Sequence, residues 1–147
     1  MTLKRILFWV VVLPVSLFLL LQLYFLIQII WWRSFNPDST SFMRKQEAIL
    51  QEKDPKFVLK HKWVDYSKIS RNLKRAVIAS EDDGFSDHEG VDWDAMQKAF
   101  EKNKKKGKVV SGGSTITQQL AKNLFLSGER SYYRKGQELI ITFMLEM

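Results

Sequence analysis

From Ile6 to Trp32 the chain runs 27 residues without a charged side chain, and only after Arg33 do apolar and polar positions alternate as a folded domain requires. As a helix such a stretch spans roughly 40 Å, against a bilayer core of about 30 Å. A cleavable signal peptide has a shorter apolar region, about 7–15 residues, closed by small residues. Nothing of that kind follows Trp32. Trp9, Tyr24, Trp31 and Trp32 are amphipathic and suit headgroup depth, so residues 1–33 are predicted to form one uncleaved transmembrane anchor. Lys4 and Arg5 on one side are matched by Arg33, Arg44 and Lys45 on the other, which leaves the orientation unset by charge.

The rest of the chain carries mostly helical periodicity. Residues 34–55 read as a connector: Ser34 to Ser41 is rich in turn formers, and Met43 to Gln51 can form a short helix. Between Phe57 and Val64 apolar and basic residues roughly alternate, which suits a short strand or an extended arm. Ser70 can cap a helix bearing Leu73, Ala76, Val77 and Ser80 on one face and delivering Glu81 at its end. Asp92 can cap a second, with Trp93, Met96, Ala99 and Phe100 as its apolar stripe. The lysine-rich run Lys102 to Lys108 reads as a mobile solvated loop. After Gly112-Gly113, Ser114 or Thr115 can start a third helix, with Thr115 and Gln118 spaced as a capping box and Ile116, Leu120 and Leu124 on its buried side. Ser131 precedes a fourth, carrying Leu139, Ile140, Phe143 and Met144. No internal repeat is present. The predicted class is mainly α, one domain over 56–147 behind a single transmembrane helix.

Charge and cysteine usage narrow the chemistry only partly. Arg33 to Met147 holds 21 of the 23 basic residues and all 16 acidic ones, a formal charge of +5. A basic domain beside a membrane can meet headgroups, phosphorylated ligands or nucleic acid. The basic residues lack interleaved aromatics apart from Tyr132-Tyr133, which disfavours nucleic acid. With no cysteine, disulfides, thiolate metal sites and cysteine nucleophiles are excluded.

Three stretches carry candidate chemistry. Glu81 to Asp92 is acidic but fails the calcium-loop pattern, because the first and last ligand positions would be Ala79 and Gly90. It also lacks the second histidine of a zinc-protease helix, and His88 reads as hydrogen-bonded within the turn. Gly112-Gly113-Ser114-Thr115 leads glycines into a helix, whose free backbone N–H groups can meet an anion. Thr115, Gln118 and Lys122 then recur at helical steps, so that a hydroxyl, an amide and an ammonium can converge on one ligand, with Arg130, Arg134 and Lys135 nearby. Spacing alone does not separate such a site from a solvated helical surface. Glu138, four residues after Arg134, reads by itself as a surface ion pair.

Taken in order, these blocks resemble the peptidoglycan glycosyltransferases, which occur as monofunctional enzymes and as the first domain of class A penicillin-binding proteins. The blocks are Glu81-Asp82 with Phe85, His88, Gly90 and Asp92; the unbroken GGSTITQQLAKN from Gly112 to Asn123; and Arg134-Lys135 with Glu138. The resemblance covers about Lys56 to Met147 and implies a lysozyme-like domain. It implies Glu81 as catalytic base and Glu138 as a second essential carboxylate. Ser114, Thr115, Gln118, Lys122, Arg130, Arg134 and Lys135 would bind substrate, and there is room for a Mg²⁺ or Mn²⁺ ion. The implied reaction extends a growing glycan chain from lipid II by inverting transfer and releases undecaprenyl pyrophosphate. It would take place outside the bacterial cytoplasmic (inner) membrane, in contact with membrane lipid and other cell-wall synthesis and division proteins. The family continues with further helices and two later blocks, so the domain reads as truncated and this form as inactive alone. The rival expectations are a membrane-anchored lysozyme-like glycan-cleaving enzyme and a non-catalytic truncated membrane scaffold.

Overall fold

The computed structural model describes residues 2–129 and 131–147. Contacts divide the chain after Asn36 into two compact units. The first is built on one helix, α1 (Leu3–Trp32). At about 1.5 Å per residue its 30 residues extend roughly 45 Å, and Leu7–Trp32 is long and apolar enough to cross a membrane. Pro14 lies inside it and removes one donor from the helical ladder. Past its C-terminus the rings of Trp31 and Phe35 stack at 4.4 Å.

The second unit is mainly α, as expected, with five helices: α2 (Ser41–Gln51), α3 (Arg71–Glu81), α4 (Trp93–Lys106), α5 (Ile116–Phe125) and α6 (Tyr132–Glu146), plus a single 3₁₀ turn at Tyr66–Lys68. Each begins at a side-chain cap. Thr40, Ser70, Asp92, Thr115 and Ser131 accept from the backbone N–H groups of Met43, Leu73, Ala95, Gln118 and Arg134, each satisfying one of the otherwise orphaned donors of a first turn. α5 packs on both α6 and α2, and the buried centre is small: Val91, Ala99, Ala121 and Ile141 with the polar Thr115, Thr117, Gln118, Gln137, Glu138 and Thr142.

Three expectations are corrected and one is narrowed. Of the strand and the extended arm expected between Phe57 and Val64, no strand occurs among the described residues, and residues 58–65 run outside any helix or ladder. Their backbone is tied by side chains instead: Leu59 N donates to Glu47 Oε1 at 3.0 Å, and Trp63 Nε1 donates to the Pro37 carbonyl at 3.0 Å. The lysine run is helix through Lys106, because lysine is a good helix former and Lys104 to Lys106 in the last turn complement the helix dipole. It stops at Gly107, whose φ of +61° is the left-handed cap that glycine adopts without penalty. In α4 the expected stripe is only half covered: Ala99 is buried, but Trp93 and Phe100 are 59% and 68% exposed. In α5 the buried face is Thr117, Gln118 and Ala121, and Leu120 is 45% exposed. Hydrogen bonds decide that face rather than apolarity.

Candidate active site

Glu81 is the last residue of α3, and the chain turns sharply at Asp82. The two oxygens of Asp82 reach in different directions. Oδ1 accepts from His88 Nε2 at 2.9 Å, while Oδ2 accepts from the Ile116 backbone N–H, also at 2.9 Å. Both side chains are nearly enclosed, Asp82 at 5% and His88 at 10% exposure, so this charge-assisted pair clamps the acidic turn to the first amide of α5. The histidine is held inside the turn, as expected, and the Phe85 ring meets it edge-on at 6.3 Å between centroids.

α5 is fixed by a reciprocal capping box. Thr115 Oγ1 accepts from Gln118 N and Gln118 Oε1 accepts from Thr115 N, each at 3.2 Å. Thr115 Oγ1 also donates to the Gly90 carbonyl at 2.6 Å, joining the second sequence block to the first. Glycine is required at both contacts. A Cβ on Gly113 would stand 2.8 Å from Met96 Cα, inside the α4 backbone, and one on Gly90, where φ is +77°, would meet Glu146 and Thr142 of α6.

These contacts revise the expected ligand face. Thr115 and Gln118 are buried, at 3% and 0% exposure, and hold the fold together. The helix N-terminus is not an open anion cradle either, because Asp82 occupies its first amide and Thr115 its third. Lys122 remains available one turn further along. The polar group that does reach Glu81 is Gln119, whose Nε2 donates to Glu81 Oε2 at 3.0 Å. Glu81 is exposed, and its Oε1 has no hydrogen-bond partner among the described residues.

Glu138 is set differently. It is 2% exposed, against the surface position expected for it. Arg134 Nη1 donates to its Oε2 at 2.6 Å, and Lys135 Nζ donates to its Oε1. Lys135 Nζ also reaches Ser114 Oγ at 3.3 Å, which brings the third block onto the second. Arg134 donates through Nε to the Glu129 carbonyl. Two cations around one carboxylate leave a net positive charge there, and Glu138 fixes their geometry. Arg130 lies outside the described residues.

The structure thus joins all three blocks through Asp82, Thr115 and Lys135. A family model described as Transglycosylase matches residues 46–147. The chain belongs to the peptidoglycan transglycosylase family. It is 74% identical over 144 residues to a biosynthetic peptidoglycan transglycosylase of Janthinobacterium sp. (strain Marseille), covering 98% of this chain and 62% of that protein. A protein of the same name from Herminiimonas arsenicoxydans is 68% identical over 144 residues, with the same coverage. One from Azoarcus sp. (strain BH72) is 63% identical over 131 residues, 89% of this chain and 57% of the relative. The chain spans about three-fifths of the length of these curated transglycosylases.

Two residues that shape the candidate site, Asp82 and Gln119, have no role assigned from the sequence. For Gln119 a signal existed. Consecutive helical residues project about 100° apart, so a Gln118 turned inward by the capping box puts Gln119 on the flank of the helix, half-buried. The partners of Asp82 lie six and 34 positions away, and no local pattern announces them.

Proposed function

We propose that the complete protein is an anchored glycosyltransferase that polymerises lipid II, with Glu81 as general base. The observation that carries this reading is the state of Glu81. It is exposed, it is oriented through one oxygen by the neutral amide of Gln119, and its other oxygen is open to a ligand. In the reaction the acceptor's 4-hydroxyl attacks C1 of the donor sugar, and the C1–O bond to the pyrophosphate breaks with its electron pair leaving on that oxygen. The hydroxyl proton passes to Glu81 Oε1. Inversion places base and leaving group on opposite faces of the sugar.

The leaving pyrophosphate gathers negative charge as the bond breaks, so ammonium and guanidinium groups fixed in advance stabilise the transition state more than the ground state. Lys122, Arg134 and Lys135 supply them in this reading, with Glu138 holding Arg134 and Lys135 in place; Arg130, outside the described residues, would add a further charge. Ser114 supports Lys135, and Thr115 and Gln118 support the helix. No three His, Asp or Glu side chains converge among the described residues, and both candidate carboxylates face amide or cationic partners. That donor set does not fit a protein-held Mg²⁺ or Mn²⁺.

In this reading α1 anchors the protein in the bacterial cytoplasmic membrane with Pro37 onward on the extracytoplasmic side, where lipid II, the growing chain and other cell-wall synthesis proteins are met. The decisive assay is lipid II polymerisation by the full-length protein. Wild type is expected to form glycan, and Glu81→Gln, which preserves size but cannot take the proton, is expected to lose it. Normal polymerisation by Glu81→Gln would end the mechanism; release of fragments from preformed glycan with no polymerisation by wild type would replace synthesis with cleavage.

A further inference from the structure

α2 precedes the three blocks and carries none of their residues, yet it packs directly on α5. Between them lies a cavity of about 170 Å³ lined by Phe42, Lys45 and Gln46 of α2, by Lys122 and Asn123 of α5, and by Leu126 and Gly128 just beyond it. A lysine from each of two helices thus lines one space, no carboxylate residue lines it, and neither lysine has an ion-pair partner among the described residues. Cations that share a space with no acid between them favour an anionic ligand there.

The placement of Lys45 is built rather than incidental. α2 is capped by the buried Thr40 and pinned from its other side, where Glu47 accepts from Leu59 N and Gln51 donates to the Phe57 carbonyl. The Lys45 ammonium lies against Gly128, so close that a Cβ there would stand 2.6 Å from Nζ. Gly128 has an ordinary negative φ, so what it provides is space for the ammonium. Lys45 stands one position before the stretch matched by the family model.

We propose that Lys45 and Lys122 together form a phosphate-binding site for the lipid-linked substrate, with Lys45 as a substrate-binding residue contributed by the connector helix. The substrate's identity rests on the glycosyl-transfer reading; the anion site rests on the cavity. Lys122 lies three residues past Gln119, about 4.5 Å of helix rise from the group that holds Glu81. A phosphate at Lys122 is therefore near the reacting sugar. Lys45 meets the same group from the opposite wall, and Asn123 offers an amide donor. The apolar Phe42 and Leu126 suit the hydrocarbon that follows such a phosphate.

The test uses the full-length protein in detergent, titrated calorimetrically with inorganic pyrophosphate. Lys45→Ala is expected to weaken binding about three- to tenfold, the scale of one partly exposed charge contact. Lys45→Arg should retain most of it, and Lys105→Ala, on the exposed end of α4, should change nothing. Gly128→Ala should weaken binding by displacing the ammonium, and should add nothing in a Lys45→Ala background, a coupling that general surface charge would not produce. Vesicles of phosphatidylcholine with phosphatidylglycerol form the second arm, and their affinity is expected to be indifferent to Lys45→Ala. Unchanged pyrophosphate affinity in Lys45→Ala overturns the proposal, and so does an effect confined to the vesicles, which would make Lys45 a contact for bilayer lipid. Lys45-dependent pyrophosphate binding in a protein whose Glu81→Gln variant still polymerises would leave the anion site standing and remove the mechanism. Glu81-dependent polymerisation with Lys45 indifferent would do the reverse.

Discussion

The two glutamates of the site are the same residue in opposite surroundings. Glu81 ends a helix none of whose residues is buried, touches one neutral amide, and keeps an oxygen free. Glu138 lies inside α6 at 2% exposure, with both oxygens taken by cations. A carboxylate whose lone pairs are already used by a guanidinium and an ammonium is a poor acceptor for a further proton, whereas one oriented through a single oxygen is suited to receive one. On the proposed reading, that contrast favours the exposed member for proton transfer and the enclosed one for ordering the cations.

Substitutions can break that division, and they rank by expected effect. Glu81→Gln in the full-length protein should lower lipid II polymerisation by about 10²–10⁴-fold, the usual general-base contribution, with the melting temperature unchanged. A large loss of stability would mean that Glu81 is structural. Glu138→Gln should behave differently and lose both. Removing the buried charge leaves Arg134 and Lys135 without their counter-ion, a loss of about 1–3 kcal/mol once their partial exposure is allowed for. Thermal unfolding checks this, and a variant as stable as wild type would contradict the ordering role. Gln119→Ala sharpens the first half. It leaves Glu81 present but unoriented, so turnover should fall about tenfold with little change in stability, and Gln119→Glu, which puts a like charge beside the base, should fall further. Lys104→Ala, on the exposed last turn of α4, should change activity and stability least, by less than about 0.5 kcal/mol; a loss matching that of Lys122→Ala would mean that overall charge explains the cations.

The helix starts were legible because each is written locally. Ser70, Asp92, Thr115 and Ser131 are cap residues at the head of periodic runs, and all four cap through their side chains. The helix faces were less legible. Leu120 was assigned inward by its apolarity, but Gln118 is bound to Thr115, and Thr115 to Gly90, and a helix can turn only one side to its neighbours. The lysine run was misread for a related reason: charge says that a segment is solvated, not that it is irregular. The three blocks that the fold brings together were readable as motifs. Their division of labour was not, since the enclosure of Glu138 and the approach of Gln119 to Glu81 across 38 positions arise from packing.

The carboxylate of Asp82 on the first amide of α5 has one more consequence. Many phosphate sites hold their ligand on rigid backbone dipoles, which dissolved ions screen little because the donors are fixed and partly enclosed. Here that position is filled by the protein's own acid, and the work of attracting an anion passes to side-chain cations at the rim, which sodium and chloride can shield. Any affinity of those cations for an anion is thereby sensitive to salt: about 10 Å of electrostatic reach at 0.1 M shortens to about 3 Å at 1 M. On the glycosyl-transfer reading proposed above, rising salt would weaken capture of the pyrophosphate before any part of the fold gave way.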